Sequence, residues 1–257
     1  MKRKDFIKST GLPSTALLFN KISIASPGAA FPVVRTAMDK RKFRSSAVEA
    51  AITEFKKGVK NEELGWLFEN SFPNTLDTTV TYELKNGKPD TYVITGDIDA
   101  MWLRDSTAQV SPYLQFIKQD VELKHLIAGV INRQARCILK DPYANAFYND
   151  DTKVGEWAKD KTDMKAGVHE RKWEIDSLCY PIRLAYLYWI ETGDTSPFDD
   201  NWQSAIKTIL RVFKNQQRKS GNGEYHFQRE TATATDTHSM AGLWLSCKSG
   251  RFNLFSL

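Results

Sequence analysis

The chain has 257 residues, of which 41% are apolar and 26% charged, and this composition is typical of a globular protein rather than a disordered or fibrous one. No apolar run approaches the roughly 20 residues that a membrane-spanning helix requires, so an integral membrane protein is not predicted. The net charge is +5, but residues 1–30 carry five Lys or Arg and one Asp, which leaves only +1 on the rest of the chain. A basic surface for nucleic acid is therefore not expected.

The first 30 residues have the pattern of an export signal. A basic start, Lys2-Arg3-Lys4, precedes a moderately apolar stretch and then a run of small residues up to Ala30. The order Arg3-Lys4-Asp5-Phe6-Ile7-Lys8 is typical of a twin-arginine signal in which Lys replaces the second Arg. We expect residues 1–30 to be removed and residues 31–257 to be exported, periplasmic or extracellular, without membrane insertion. A frayed N-terminal arm is the alternative.

Helical spacing of apolar residues dominates the rest of the chain. Ser45 and Ser46 are suited to cap a first helix, and a second begins near Asn61 and ends before Pro73. The first helix has apolar residues at helical spacing at Val48, Ile52, Phe55 and Val59, and the second has Leu64, Leu67 and Phe68 on one face. Two β-rich stretches flank Asn86-Gly87 and predict a hairpin with a six-residue turn. We further predict an extended lead-in over 31–42, hairpin strands at 79–84 and 91–94, helices over 106–117, 121–139, 177–189 and 201–213, a polar loop over 141–170 and a short strand over 223–229.

These elements predict a mostly α fold, with about six helices in antiparallel pairs and a small β-hairpin. Strands do not alternate with helices, so a parallel α/β sheet is not expected. The chain has three cysteines, Cys137, Cys179 and Cys247, without a CxxC or CxxH pair, so a zinc site is not predicted. Cys137 and Cys179 lie in apolar helical patterns, which favours buried thiols over a disulfide.

Three segments, 96–106, 169–177 and 228–237, combine carboxylates with Arg, and the first two also contain Trp. The hydroxyl groups of a pyranose donate to carboxylates and accept from Arg, and its C–H face stacks on an indole ring. Glycoside hydrolysis also requires two carboxyl groups, a general acid and either a nucleophile or a base that activates water. The pattern therefore favours a sugar-binding or glycosidase site.

Each of these residues also has a purely structural interpretation. Asp105 and Asp176 precede Ser and an apolar helix, so each can be a helix N-cap alone. Trp102 and Trp173 can be core aromatics, and Arg104 can form a structural ion pair. The four His residues lack metal-ligand spacing and are expected to be structural or exposed. Neither a Gly-rich phosphate loop nor a G-x-S-x-G string occurs, which argues against nucleotide enzymes and serine hydrolases.

Three strings, taken in order, resemble glycoside hydrolase family 125. They lie at 96–106, 170–181 and 228–237 and include Met-Trp-Leu-Arg-Asp-Ser and Glu-Arg-Lys-Trp-Glu-Ile-Asp-Ser. The resemblance extends over about residues 31–240. That family consists of metal-independent, inverting exo-α-1,6-mannosidases with an (α/α)6 barrel. The resemblance implies a mannose-containing oligosaccharide or glycan as ligand, no cofactor and no metal. It also implies a set of substrate-binding residues: Trp102, Arg104, Asp105, Glu170, Arg171, Trp173, Glu174, Asp176, Arg229 and Glu230.

The resemblance further predicts that the chain is an N-terminal portion of such an enzyme. The family continues from the Thr-rich stretch into an Arg-Pro-Ser-Asp-Asp segment that resembles the source of its general acid, and its general base lies further on. Residues 241–257 fit the family only loosely, and twelve helices would need roughly 400 residues. We therefore expect an incomplete (α/α)6 barrel and assign no catalytic residue. The alternatives are a non-catalytic mannose-binding remnant, an inactive fragment, or a helical interaction domain whose acidic residues are only caps.

Overall fold

The computed structural model describes residues 31–230 except 220 and 222. Contacts divide the chain into two units, Met1–Val33 and Val34–Leu257, and residues 31–33 of the first have no regular secondary structure. The predicted leader, the Thr-rich stretch 231–237 and Cys247 lie outside the described residues. The second unit contains helices α1 (Ser46–Gly58), α2 (Glu62–Ser71), α3 (Leu103–Val110), α4 (Val121–Lys140), α5 (Ile175–Thr192) and α6 (Asp200–Gln216), and strands β1 (Val80–Lys85), β2 (Lys88–Val93), β3 (Met101–Trp102), β4 (Ala146–Phe147) and β5 (Val168–Glu170).

The described part is mostly helical and has two small sheets, β1-β2 and β3-β4-β5. This confirms the predicted mostly α class with a hairpin. Within the same part, no helix is both long enough and apolar enough to cross a lipid bilayer.

Side-chain caps determine where four of the helices begin. Ser45 Oγ accepts a hydrogen bond from the backbone N–H of Val48 at 3.2 Å, and the side chains of Asn61, Asp120 and Asp199 cap α2, α4 and α6 in the same way. Each cap satisfies a backbone donor that has no partner inside the helix. Ser45 Oγ also donates to Asp120 Oδ2 at 2.7 Å, which joins the starts of α1 and α4.

The hairpin turn is tighter than the sequence predicts. Asn86 and Gly87 have φ values of 54° and 76°, as a two-residue type I′ turn requires. The strands therefore continue to the pair Lys85–Lys88 instead of stopping short of it. Strand β2 packs against α4, where the hydroxyl of Thr91 donates to the backbone oxygen of Leu126 at 2.7 Å.

Helix α4 lies at the centre of the fold, because it packs against β2, α5 and α6. Most of its residues are buried, and they include Arg133 and Gln134. One apolar cluster joins α4 to α1, β2 and the second half of α5, and another joins it to α6 and the start of α5. A helix buried on several sides has no continuous polar face.

Several predicted boundaries and exposures are wrong. The predicted helix over 106–117 is α3 followed by a 3₁₀ helix, Ser111–Phe116, in which Pro112 has no backbone donor to continue the α-helical ladder. The predicted polar loop over 141–170 contains β4 and β5. The predicted strand over 223–229 is reduced to one bridge, in which Gln228 and Lys161 exchange two backbone hydrogen bonds.

Two residues on the apolar face of α2 are exposed, and one predicted burial, that of Cys179, is wrong. Leu64 and Leu67 of α2 are 47% and 44% exposed, and Phe68 provides the core contact instead. Cys137 is buried as expected, whereas Cys179 is exposed. Cys179 lies on the outward side of α5, where the apolar pattern of the sequence continues around the helix.

Candidate functional site

The three-stranded sheet brings the first two acidic segments together. Trp102 of β3 is opposite Ala146 of β4, and Ala146 is opposite Glu170 of β5. Opposed residues of antiparallel strands project from the same face of a sheet. Trp102 and Glu170 therefore share a face, separated by the small side chain of Ala146 and by two strand spacings, roughly 10 Å.

Asn145 holds this arrangement together. Its side-chain nitrogen donates to Glu170 Oε2 at 2.6 Å, and its side-chain oxygen accepts from the backbone N–H of Lys172 at 3.3 Å. Its backbone oxygen accepts from Leu103 at 3.1 Å, and its backbone N–H donates to Glu170 at 3.1 Å. The sequence gives no signal for Asn145, because it lies in a segment whose composition predicts an ordinary polar loop.

Replacing Asn145 with alanine is expected to lower the free energy of unfolding by about 2 kcal/mol, since a buried carboxylate oxygen and a backbone donor both lose their partner. Urea denaturation measures the loss. The matched control is Asn201→Ala, because Asn201 is exposed on α6 and surface changes are usually within about 0.5 kcal/mol. Equal stabilities for the two variants would contradict the role given to Asn145.

Arg104 and Asp176 meet across the contact between α3 and α5. Arg104 Nη1 donates to Asp176 Oδ2 at 3.0 Å, and Arg104 Nε lies 3.4 Å from Asp105 Oδ2. The three side chains are 41%, 37% and 41% exposed, in the order Arg104, Asp176, Asp105. The group is therefore held in place and still open to a ligand.

The interpretation of Asp105 and Asp176 as helix caps is wrong. The N-cap positions are occupied by Trp102 and Glu174, and neither helix start has a side-chain cap hydrogen bond. Both aspartates lie within the first helical turn, where the helix dipole favours a negative charge. Asp176 Oδ1 is buried and makes no hydrogen bond within the described part of the chain.

The charged residues of this group shift one another's pKa values. Burial lowers the pKa of Arg104, but the hydrogen bond to Asp176 and the charge of Asp105 outweigh it, so the pKa lies above its ordinary value. Burial raises the pKa of the Glu174 carboxyl, and Lys172 only partly opposes that effect. Glu174 therefore keeps its proton to a higher pH than an exposed glutamate does.

The predicted substrate-binding residues Arg171 and Arg229 are buried and engaged by the protein itself. Arg171 Nε donates to Asp141 Oδ2 at 2.8 Å. Arg229 is ion-paired with Glu170, and its guanidinium lies 3.7 Å from the centre of the Trp157 ring. These contacts bring both arginines next to the site, where they fix the wall behind Glu170.

Trp173 and Glu230 lie at the margins of the group. The Trp173 ring packs against the apolar cluster of α6, and its backbone N–H donates to Tyr225 Oη at 2.8 Å. The exposed Glu230 pairs with Lys161 at 3.1 Å. The structure thus brings Arg104, Asp105, Glu174 and Asp176 into one group. Trp102 immediately precedes the helix that carries Arg104 and shares a sheet face with Glu170.

Other candidate chemistry is weaker. In the described ranges, no three His, Cys, Asp or Glu side chains are arranged to hold a metal ion. A cavity of about 180 Å³ lies beside the hairpin turn, but its charged residues are already paired: Lys88 with Asp199, Arg136 with Asp90, and Lys85 with Asp151 outside the cavity. We therefore place the candidate site at the open group around Arg104.

A family model described as metal-independent α-mannosidase (GH125) matches residues 61–250. The chain belongs to the GH125 family. The match confirms the resemblance seen in the sequence.

Two relatives show how much of the GH125 sequence is present. The chain is 38% identical over 228 residues to the meiotically up-regulated gene 157 protein of Schizosaccharomyces pombe. This match covers 82% of this chain and 45% of that protein. It is 43% identical, with a TM-score of 0.70, to a Streptococcus pneumoniae metal-independent α-mannosidase solved in a non-productive substrate complex with α-1,6-mannobiose. That match covers 78% of this chain and 46% of the other. The chain spans less than half the length of either relative.

Proposed function

We propose that the described residues form the mannose-binding wall of a GH125 α-mannosidase site, which removes a terminal α-1,6-linked mannose with inversion. The observation that carries the proposal is the meeting of Arg104 with Asp176, which lie 72 positions apart in the chain. Membership of GH125 and the mannobiose complex of the Streptococcus pneumoniae relative support a mannose-containing glycan as the ligand.

Each residue of the group has a binding role in this proposal. The carboxylates of Asp105 and Asp176 accept hydrogen bonds from sugar hydroxyl groups, and Arg104 donates to a neighbouring hydroxyl oxygen. The partly exposed Trp102 ring offers an apolar surface for the C–H face of the sugar. The exposure of Asp176 supports the proposal, because its side chain is 37% exposed while Arg104 holds it in place.

Inverting hydrolysis requires two further carboxyl groups, one that protonates the glycosidic oxygen and one that activates water, roughly 6.5–9.5 Å apart. By the family resemblance, we place both in the sequence that follows the Thr-rich stretch in GH125 enzymes. We also propose that the helices described above are part of an (α/α)6 barrel. The basic leader supports export to the periplasm or the outside of the cell.

The proposal is tested by titrating α-1,6-mannobiose into the protein in a calorimeter, with α-1,2- and α-1,3-mannobiose as linkage comparisons. Asp176→Asn is expected to weaken binding about tenfold or more, because a hydrogen bond to a charged group contributes about 1.5–3 kcal/mol. The matched control is Asp150→Asn, since Asp150 is exposed and its side chain accepts hydrogen bonds from Thr152 in its own turn.

The outcomes separate the alternatives. Absence of binding heat in the unchanged protein would refute a mannose site in this chain. Equal affinities for Asp176→Asn and the unchanged protein would remove Asp176 from the site. Release of mannose, measured chromatographically on the same samples, distinguishes an enzyme from a protein that binds mannose without cleaving it.

A further inference from the structure

His169 is buried against Trp102. The two ring centres are 5.0 Å apart and the rings are nearly perpendicular, and His169 is only 1% exposed. The sheet explains this contact, because β5 advances by two residues, from Val168 to Glu170, while β4 advances by one. His169 is the extra residue of this β-bulge, and bulges re-aim side chains next to functional sites.

A chain of contacts leads from His169 back to the segment of Trp102. His169 Nδ1 lies 2.8 Å from Tyr148 Oη, and the Lys153 ammonium lies 4.1 Å from the centre of the Tyr148 ring. Lys153 Nζ in turn lies 3.2 Å from Asp99 Oδ2. Asp99 is three residues before Trp102 in the sequence. The series of contacts therefore starts at the residue that packs on Trp102 and ends in the segment that contains Trp102.

The backbone at Gly155 packs closely against the Tyr148 side chain. A Cβ atom added at Gly155 would lie 2.3 Å from Tyr148 Oη, so only glycine allows the chain to approach this closely. The ring that contacts His169 is therefore confined by packing as well as by its hydrogen bond.

We propose that His169 is a positioning residue, which fixes the plane of the Trp102 indole against which the sugar stacks. The inference rests on the proposed function and deepens it. His169 does not touch the sugar, and it acts through Trp102. In this proposal His169 is the neutral tautomer that accepts the Tyr148 hydroxyl proton at Nδ1 and carries its own proton on Nε2. Nε2 is buried and makes no hydrogen bond within the described residues.

Burial favours this neutral form of His169. Burial lowers the pKa of His169, Glu170 and Glu156 oppose that effect, and Lys153 and Arg229 add to it. Protonation at lower pH places a proton on Nδ1, which can then no longer accept from Tyr148. This hydrogen bond, which orients the His169 ring against Trp102, is therefore present at neutral pH and is lost in acid, below the ordinary pKa of histidine, about 6.5.

The test is an NMR measurement on protein labelled with ¹⁵N in its indoles, in which Trp102→Phe assigns the Trp102 signal. We expect that signal to titrate with a midpoint below about pH 6.5, the ordinary value for histidine. His169→Asn is expected to shift the signal at neutral pH and to abolish its titration. Tyr148→Phe is expected to raise the midpoint, because the neutral imidazole loses its donor. His125→Asn, a change at an exposed histidine of α4, is the control and is expected to leave the signal unchanged.

Binding of α-1,6-mannobiose is measured on the same variants. His169→Asn is expected to weaken it up to about tenfold, the equivalent of one aromatic contact, at a temperature where the variant is fully folded. A Trp102 signal that responds neither to pH nor to Tyr148→Phe would overturn the inference even if His169→Asn fails to fold. Absence of mannobiose binding by the unchanged protein, with the NMR coupling intact, would instead refute the proposed function.

Discussion

Replacing Asp90 with asparagine is expected to lower the free energy of unfolding by about 3–5 kcal/mol, the usual cost of breaking a buried ion pair. Asp90 is 2% exposed. It accepts from Arg133 Nε at 3.0 Å and is also paired with Arg136. Asparagine has the same shape but no charge, so the buried guanidinium of Arg133 loses its counter-charge where water cannot replace it.

Urea denaturation measures this loss. The matched control is Glu69→Gln, which breaks the exposed pair of Glu69 with Lys56 and should cost less than about 1 kcal/mol. Adding Arg133→Met to Asp90→Asn is expected to restore part of the stability, because both buried charges are then gone. A loss below about 1 kcal/mol for Asp90→Asn alone would show that Arg133 is not held by this carboxylate.

The second large effect is expected for Gly129→Ala in α4. A Cβ atom at Gly129 would lie 2.3 Å from Thr91 Oγ1 and 2.9 Å from the Thr91 backbone nitrogen. The Thr91 hydroxyl cannot move away freely, because it donates to Leu126 of the same helix. We expect a loss of about 3 kcal/mol, the upper part of the range for overpacking a core, even though alanine favours a helix over glycine by about 1 kcal/mol.

Thermal and urea unfolding measure the stability of Gly129→Ala, and a second glycine variant is the control. Gly58 ends α1 and has open space around it, so Gly58→Ala is expected to be neutral or stabilising by up to about 1 kcal/mol. Thr91→Ala added to Gly129→Ala should recover stability only in part, since the backbone of β2 still blocks the new methyl group. A neutral Gly129→Ala would mean that α4 and β2 are further apart than described.

The sequence predicts the helices and the hairpin because local chemistry determines them. Ser45 caps α1 with a bond to a residue three positions away, and Asn86-Gly87 adopts the positive φ values that its turn needs. Such signals span a few residues and do not depend on the rest of the fold. The exposed Leu64 and Leu67 show that apolar spacing marks a helix without showing which face is covered.

The site is predicted only in part, for a physical reason. Arg104 and Arg171 are the same residue type in similar strings, yet one is open to solvent and the other is bonded to Asp141. Only contacts between distant segments separate a ligand-binding arginine from a structural one. The same holds for Asn145 and His169, because strands of two or three residues carry no period in the sequence.

The sheet that carries the site has a consequence for the order of assembly. The helices and the hairpin close over short distances along the chain, whereas Trp102 and Glu170 come to share one face of a sheet only after a long loop has closed between β3 and β5. Closing a loop costs more entropy as it lengthens, and non-local contacts form late. We therefore expect most of the helices to form before this sheet assembles, so that the proposed sugar-binding group is completed late in folding.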